Sequence, residues 1–176
     1  MKSARLSPTS SDSLYTEVVV GMRLVAKIVP LIVQAVVITL AVTCVHEYWH
    51  NIVAGIVGVK GYVDFGWLSG HFYYVGEVKP WQDAVVGCAG GLGTALFFGV
   101  LWLCAVWQGR YSQWEIDQMV IYGVVAIQQF CYGIAEGVDR WFGSAVIWSY
   151  VVGSVAAIGL ILWLYGRRVM AWLERG

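Results

Sequence analysis

Charged side chains are scarce in this sequence. Only 12% of the 176 residues are Asp, Glu, Lys or Arg, whereas a soluble globular domain contains about 25%. Hydrophobic residues make up 59% of the chain, and no long polar segment offsets them. The composition therefore excludes an ordinary soluble domain and predicts an all-α polytopic membrane protein.

The net charge and the cysteine spacing provide two further constraints on the class of protein. The formal net charge is zero, so the chain lacks the excess of Lys and Arg that marks a nucleic-acid-binding protein. The four cysteines are scattered singly and include no C-x-x-C pair. They therefore form no recognisable disulfide framework.

Apolar runs predict four transmembrane helices, since about 20 apolar residues suffice to cross a bilayer. The polar, Ser-rich residues 1–13 are predicted to form a mobile tail, and residues 14–176 a single membrane domain. Pro30 is predicted to lie in the first turn of the first helix. The spans are expected at about 28–57, 83–107, 116–136 and 144–165.

The segment between the first two spans has a different pattern. Residues 60–80, KGYVDFGWLSGHFYYVGEVKP, are rich in Tyr, Phe, Val and Gly, with LSGH in the middle. This pattern predicts a β-hairpin or two short strands. The aromatic side chains would lie at the membrane surface or fold back towards the helices.

The distribution of Lys and Arg predicts the orientation in the cell membrane. With four spans and a cytosolic N-terminus, eight basic residues lie in the cytosol and three on the other side, which favours cytosolic N- and C-termini. The cytosolic set is Lys2, Arg5, Arg23, Lys27, Arg110, Arg167, Arg168 and Arg175, against Lys60, Lys79 and Arg140.

The first span contains the sequence His46-Glu47-Tyr48-Trp49-His50, which matches H-E-x-x-H. Residues i and i+4 share one face of a helix, so both imidazoles can bind one metal ion, with Glu47 as general base for a water on zinc. An ionisable residue in the membrane costs about 2.5–3.5 kcal/mol on insertion scales, so three within five residues favour a function. The alternative is that residues 46–51 have already left the membrane and meet water.

A catalytic zinc usually has three protein ligands, and the third span supplies a candidate. At 1.5 Å per residue, His46 and His50 lie about 27 and 33 Å along the first span, and Glu136 lies about 30 Å along the third. We therefore predict Glu136 as the third ligand. Asp139 could bind the metal instead, or orient a ligand histidine; alternatively, both carboxylates pair with Arg140.

Polar and small residues of the second and third spans predict close helix packing. Gln129, Tyr132, Glu136 and Arg140 share a face of the third span, as expected either for interhelical hydrogen bonds or for contact with substrate. The second span contains Gly87, Gly90, Gly91, Gly93 and Gly99. Gly87 and Gly91 form a G-x-x-x-G pattern, as do Gly133 and Gly137 in the third span. These glycines are expected to bring both spans close to the H-E-x-x-H helix.

Over roughly residues 28–143 the chain resembles the site-2 protease family of intramembrane zinc metalloproteases. The order of parts is similar: H-E-x-x-H in a membrane helix, a short β-rich excursion, a glycine-containing helix and a helix with an acidic-Gly pair. In that family the third ligand is the aspartate of an Asp-Gly pair, and Glu136-Gly137 stands at the matching place here. Gln128 stands where the family has an asparagine, and the prolines of the family pattern are absent.

These features predict a membrane-embedded zinc metalloprotease that acts on a membrane protein or peptide within the lipid bilayer. His46, His50 and Glu136 would bind Zn²⁺, and Glu47 would be the catalytic base. The alternative is a non-catalytic membrane subunit or scaffold, in which the polar residues serve helix packing or bind a structural metal ion.

Overall fold

The computed structural model describes residues 10–67, 69–108, 113–139 and 141–173 of the chain. These form four helices and one antiparallel hairpin in the order α1, β1, β2, α2, α3, α4. The elements are α1, Ser10–Ile56; β1, Lys60–Phe65; β2, Gly70–Val75; α2, Pro80–Trp107; α3, Gln113–Val138; and α4, Ala145–Leu173.

The predicted fold class is confirmed. Each of the four helices contains a segment long and apolar enough to cross a membrane, and the two-stranded sheet lies between α1 and α2 as expected. The candidate membrane segments are Ile32–Ile56, Pro80–Trp107, Asp117–Val138 and Ala145–Leu164.

Helix α1 is longer than its apolar part. Pro30 lies inside the helix, so the prediction that a helix begins there is wrong. The candidate membrane-crossing segment of α1 is Ile32–Ile56. The predicted mobile tail, 1–13, falls mostly outside the described residues, and its residues 10–13 belong to α1.

The chain forms two compact units, Met1–Ala41 and Val42–Gly176. The described part of the first unit is a single helical segment, in which the Thr39 hydroxyl donates to the Ala35 carbonyl at 2.9 Å. The second unit contains the end of α1, the hairpin and helices α2 to α4. All the residues of the candidate site belong to this second unit.

A glycine-based cap ends α1 and directs the chain into the hairpin. Gly58 has a φ of +74°, a left-handed conformation that favours glycine. The Val59 N–H donates to the Ala54 carbonyl at 2.8 Å, and the Gly58 N–H donates to the Gly55 carbonyl at 3.3 Å. This is the Schellman arrangement, with the usual apolar contact between the residues that flank it, Ala54 and Val59.

The start of α2 is tied to the end of α1. Ala54, Val59 and Val86 form a small buried cluster. Gln82 donates from its side-chain amide to the Val57 carbonyl at 2.9 Å and accepts the Lys79 N–H at 3.0 Å. These contacts fix the first turns of α2 against the H-E-x-x-H end of α1.

Glycines let α2 and α3 pack backbone against backbone. A Cβ on Gly91 would collide with the backbone of Gly133, and a Cβ on Gly137 would meet the Ala84 carbonyl oxygen at 2.9 Å. The G-x-x-x-G glycines therefore pack α2 and α3 against each other. The second span lies against the H-E-x-x-H helix as expected, because a Cβ on Gly93 would overlap the Trp49 indole.

Candidate metal centre

Three side chains from two helices converge in the second unit. The Nε2 atoms of His46 and His50 lie 3.0 Å apart. Glu136 Oε2 lies 3.3 Å from His46 Nε2, and Glu136 Oε1 lies 3.6 Å from His50 Nε2. The three residues form a group that could hold a metal ion.

The separations match those of ligand atoms around a tetrahedral ion. Two atoms that each lie about 2.05 Å from a tetrahedral zinc are separated by about 3.3 Å. The observed separations of 3.0, 3.3 and 3.6 Å bracket this value. The side chains therefore need only small adjustments to bind one ion together.

Hydrogen bonds set which imidazole nitrogens face the centre. His50 Nδ1 lies 2.6 Å from the Val86 carbonyl oxygen; because a carbonyl can only accept, Nδ1 carries the proton. His46 Nδ1 lies 3.1 Å from Gln129 Oε1 and donates to it. In each neutral ring the other nitrogen, Nε2, then presents a lone pair to the centre. Such partners commonly orient histidines that bind metals.

In these tautomers, the lone pairs of His46 Nε2 and His50 Nε2 point towards the Glu136 carboxylate. Glu136 Oε2 is buried and has no hydrogen-bond partner within the described part of the chain. The two oxygens of the Glu136 carboxylate face the two Nε2 atoms, which are acceptors in the tautomers just described. Without a cation, two lone pairs and a carboxylate within 3.6 Å repel one another. The donor set therefore fits either an additional proton or a bound metal cation.

Gly90 brings the α2 backbone against the ligand atoms. A Cβ at this position would overlap His50 Nε2 and lie 2.6 Å from His46 Nε2. Any larger residue would displace at least one imidazole. Gly90 is one of the second-span glycines expected to bring that span close to the H-E-x-x-H helix, and here it lies directly against the two imidazoles.

Glu47 lies between the candidate metal centre and the hairpin. Only 6% of its surface is exposed. The Phe72 backbone N–H donates to its carboxylate, whereas Glu47 Oε2 is buried with no hydrogen-bond partner among the described residues. A Cβ on Gly70 would overlap the Glu47 side chain. Strand β2 therefore covers Glu47 and leaves one of its oxygens available.

A cleft of about 290 Å³ opens beside these groups. Helices α1, α2 and α3 and strand β2 all contribute to it, and Asp139 lies at its wall and not in the ligand group. Its lining consists of Glu47, His50, His71, Phe72, Tyr74, Asp83, Gly87, Glu136, Gly137 and Asp139.

Tyr74 connects the hairpin to α2 inside this cleft. Burial, followed by its hydrogen bond to the Asp83 carboxylate, raises the pKa of Tyr74 above its ordinary value. The hydroxyl therefore stays protonated at neutral pH and donates to Asp83. This bond fixes the Asp83 side chain at the wall of the cleft.

The structure brings together the residues that the sequence predicted as a metal site, with Glu136 as the third member. Gln129, predicted to share a face with Glu136, contacts His46, whereas Gln128 packs against Gly153 of α4. The possible partner Arg140 lies outside the described residues. The role of Val86 was not predicted, because it takes part through its backbone carbonyl and carries no side-chain signal.

Comparisons with family models, curated proteins and solved structures gave no match to this chain. The family assignment stays a prediction. The resemblance to site-2 proteases rests on the H-E-x-x-H motif and the order of parts. The geometry of the candidate metal centre is independent of that resemblance, because it follows from the distances alone.

Proposed function

We propose that this chain is a membrane-embedded zinc metalloprotease that hydrolyses peptide bonds of membrane-associated substrates. The observation that carries the proposal is the convergence of His46, His50 and Glu136 with Glu47 beside them at one cleft. Two imidazoles and a carboxylate are a common ligand set of catalytic zinc sites, and three protein ligands leave one coordination position for water or substrate.

Zinc bound here would supply Lewis acidity, which polarises a peptide carbonyl and lowers the pKa of a coordinated water towards about 7. The ligands themselves are held by Val86 and Gln129, which keep both Nε2 lone pairs directed at the centre. The close approach of Gly90 leaves no room for a side chain on that side of the imidazoles.

Glu47 is the proposed general base. Its unpartnered Oε2 would accept the proton of the attacking water and later deliver it to the leaving amine. The Phe72 N–H holds the carboxylate in place, and the small Gly70 lets strand β2 lie directly against it. Proton transfer through one positioned carboxylate accounts for both steps.

The outer edge of β2 offers a place for an extended substrate. Phe72 is paired opposite Val63 in the hairpin, yet its N–H is directed to Glu47 and so points away from β1. Strand alternation directs the backbones of Gly70 and Tyr74 to the same outer edge. A substrate segment that pairs with this edge would lie beside Glu47, in the manner of β-strand addition.

A scaffold that binds a structural metal ion is the alternative. Structural zinc sites usually have four protein ligands and no open position. Within the described residues the group contains three ligands and adjoins a cleft. In such a site the buried Glu47 carboxylate, whose Oε2 has no hydrogen-bond partner among the described residues, would have no role. These features favour catalysis over a structural role.

We also propose, from the distribution of Lys and Arg, that the protein lies in the cell membrane with both termini cytosolic. The four apolar helices are compatible with a multi-pass membrane protein. The substrate would accordingly be a membrane protein or a peptide presented at the bilayer.

Substitution of Glu47 by Gln tests the proposal. The amide keeps the shape of the side chain but cannot accept the proton, so cleavage should fall by roughly 10²–10⁴-fold while bound zinc is unchanged. Cleavage would be measured with a single-span membrane reporter and with labelled casein in detergent, and zinc by mass spectrometry on the same samples. Glu77→Gln, which changes an exposed carboxylate outside the cleft, is the control. Near-wild-type cleavage by Glu47→Gln would favour the scaffold alternative.

A further inference from the structure

His71, the third histidine of the chain, lies outside the group that could hold a metal ion. It belongs to strand β2 and lines the cleft together with Glu47 and His50. The residue is exposed, and strand alternation places its side chain on the face of the hairpin opposite to that of Phe72. An exposed residue that also lines the cleft lies at the mouth of the cleft, where a bound substrate can reach it.

His71 is also close to the proposed general base. The His71 imidazole and the Glu47 carboxylate interact electrostatically. The residue before His71, Gly70, lies directly against Glu47, since a Cβ there would overlap the Glu47 side chain. Glu47 Oε2 is buried with no hydrogen-bond partner among the described residues, and so it can accept a proton from a water. A carbonyl group attacked by that water would lie beside His71.

The cleft offers few side-chain donors to such a carbonyl oxygen. Four of its ten lining residues are acidic, and ionised carboxylates can only accept hydrogen bonds. His50 Nδ1 already donates to the Val86 carbonyl, and the Tyr74 hydroxyl donates to Asp83. His71 is the remaining lining side chain that can donate, and its imidazole has no hydrogen-bond partner within the described part of the chain. Imidazole has an N–H donor in both its neutral and its protonated form.

We propose that His71 is a second catalytic residue, which donates a hydrogen bond to the carbonyl oxygen of the scissile peptide bond. The inference rests on the proposed function, because Glu47 and the metal ligands place that bond. As the water oxygen bonds to the carbonyl carbon, the π electron pair moves onto the carbonyl oxygen and the water proton passes to Glu47. His71 keeps its own proton and stabilises the negative charge on that oxygen. When the C–N bond then breaks, the leaving amine takes the proton from Glu47.

A donor in this position acts mainly on the transition state, because the charge on the carbonyl oxygen develops only as the water attacks. Removal of one such donor typically lowers kcat by about 10²–10³-fold. His71→Ala should therefore lower kcat by roughly this factor with little change in KM. Its zinc content and thermal unfolding should match those of the wild type, because His71 is exposed and lies outside the ligand group.

Two inhibitors test this role without a turnover assay. One is an N-acetylated phosphinic peptide, whose tetrahedral anionic group resembles the attacked carbonyl. The other is a thiol peptide with the same side chains, which binds zinc through sulfur and lacks that oxygen. Isothermal titration calorimetry would measure both affinities for the zinc-loaded, detergent-solubilised full chain. His71→Ala should bind the phosphinic peptide at least about tenfold more weakly, as loss of a hydrogen bond to a charged group predicts, and the thiol peptide as tightly as the wild type. His71→Gln, which keeps a side-chain N–H, should regain part of the lost affinity.

Tyr73→Phe is the matched control, because Tyr73 is the next exposed residue on the same face of β2 and does not line the cleft. This variant should bind both inhibitors like the wild type. Wild-type affinity of His71→Ala for the phosphinic peptide, or equal weakening of both inhibitors, would overturn this inference and leave the proposed protease intact. If zinc is bound but neither inhibitor binds to the wild type, the proposed function falls and the inference falls with it.

Discussion

His50 donates from Nδ1 to the backbone carbonyl of Val86 at 2.6 Å, and this bond joins the H-E-x-x-H helix to the first turns of α2. It fixes the tautomer of His50, so that Nε2 faces His46 and Glu136 as an acceptor. Because the partner is a backbone atom, no side-chain substitution at position 86 removes it directly. The ligand geometry therefore depends on how α1 and α2 pack.

The purified protein should contain about one zinc ion per chain. His46→Ala or His50→Ala should remove it, because each substitution takes away one of three converging ligands. The third histidine of the sequence, His71, is exposed on β2 and outside the ligand group, so His71→Ala should keep the metal. Elemental analysis by mass spectrometry checks all four proteins. Wild-type protein that is metal-free after purification without chelators would argue decisively against the site.

Substitutions at Glu136 and Asp139 should show which of the two carboxylates is the third metal ligand. Glu136→Gln should weaken zinc binding by more than the roughly 10–100-fold that follows loss of a group that only orients a ligand. Asp139→Asn should leave zinc affinity nearly unchanged, since Asp139 lies at the cleft wall and not among the ligand atoms. Competition with a fluorescent zinc chelator measures both affinities. The opposite ranking would make Asp139 the third ligand.

Gln129→Leu should lower zinc affinity by roughly 10–100-fold, because His46 loses the partner that orients its ring. The neighbouring Gln128→Leu is the matched control, because Gln128 contacts Gly153 of α4 and not the imidazoles. The same chelator competition reports both effects. If the two variants bind zinc equally well, the Gln129 contact has no role in orienting His46.

Gly90→Ala should destabilise the fold by about 1–3 kcal/mol, as overpacking usually does, and should also release zinc. The added methyl group would overlap both ligand imidazoles. Gly99→Ala, on the same helix with no atom within 4 Å of the added carbon, should be neutral or slightly stabilising. Thermal unfolding in detergent and zinc content would be measured together. A Gly90→Ala protein with normal zinc content would show that the centre tolerates a displaced α2.

The sequence predicted most of the fold and the principal residues of the site. Long apolar runs identify four helices, because hydropathy over about 20 residues depends on near neighbours in the chain. The i, i+4 spacing put His46 and His50 on one helical face, and the depth of Glu136 along its span identified it as the third member of the group. The hairpin followed from the aromatic and Gly-rich pattern of residues 60–80.

Boundaries were less predictable. Helix α1 extends through Pro30 to Ser10, because helix formation continues beyond the apolar segment that hydropathy detects. Likewise α2 begins at Pro80, where Gln82 bonds to both Lys79 and Val57. A hydropathy pattern contains no information about such capping contacts.

The sequence by itself determined which residues can bind a metal and which helix faces they occupy. The tertiary structure alone decided that Val86 and Gln129 orient the imidazoles, that Gly90 leaves room for them, and that β2 covers Glu47. Every residue has a backbone carbonyl and N–H, so the partners that Val86 and Phe72 contribute leave no mark on residue type. Their roles arise only when the packing of α1, α2, α3 and the hairpin brings those atoms within hydrogen-bond distance of the site.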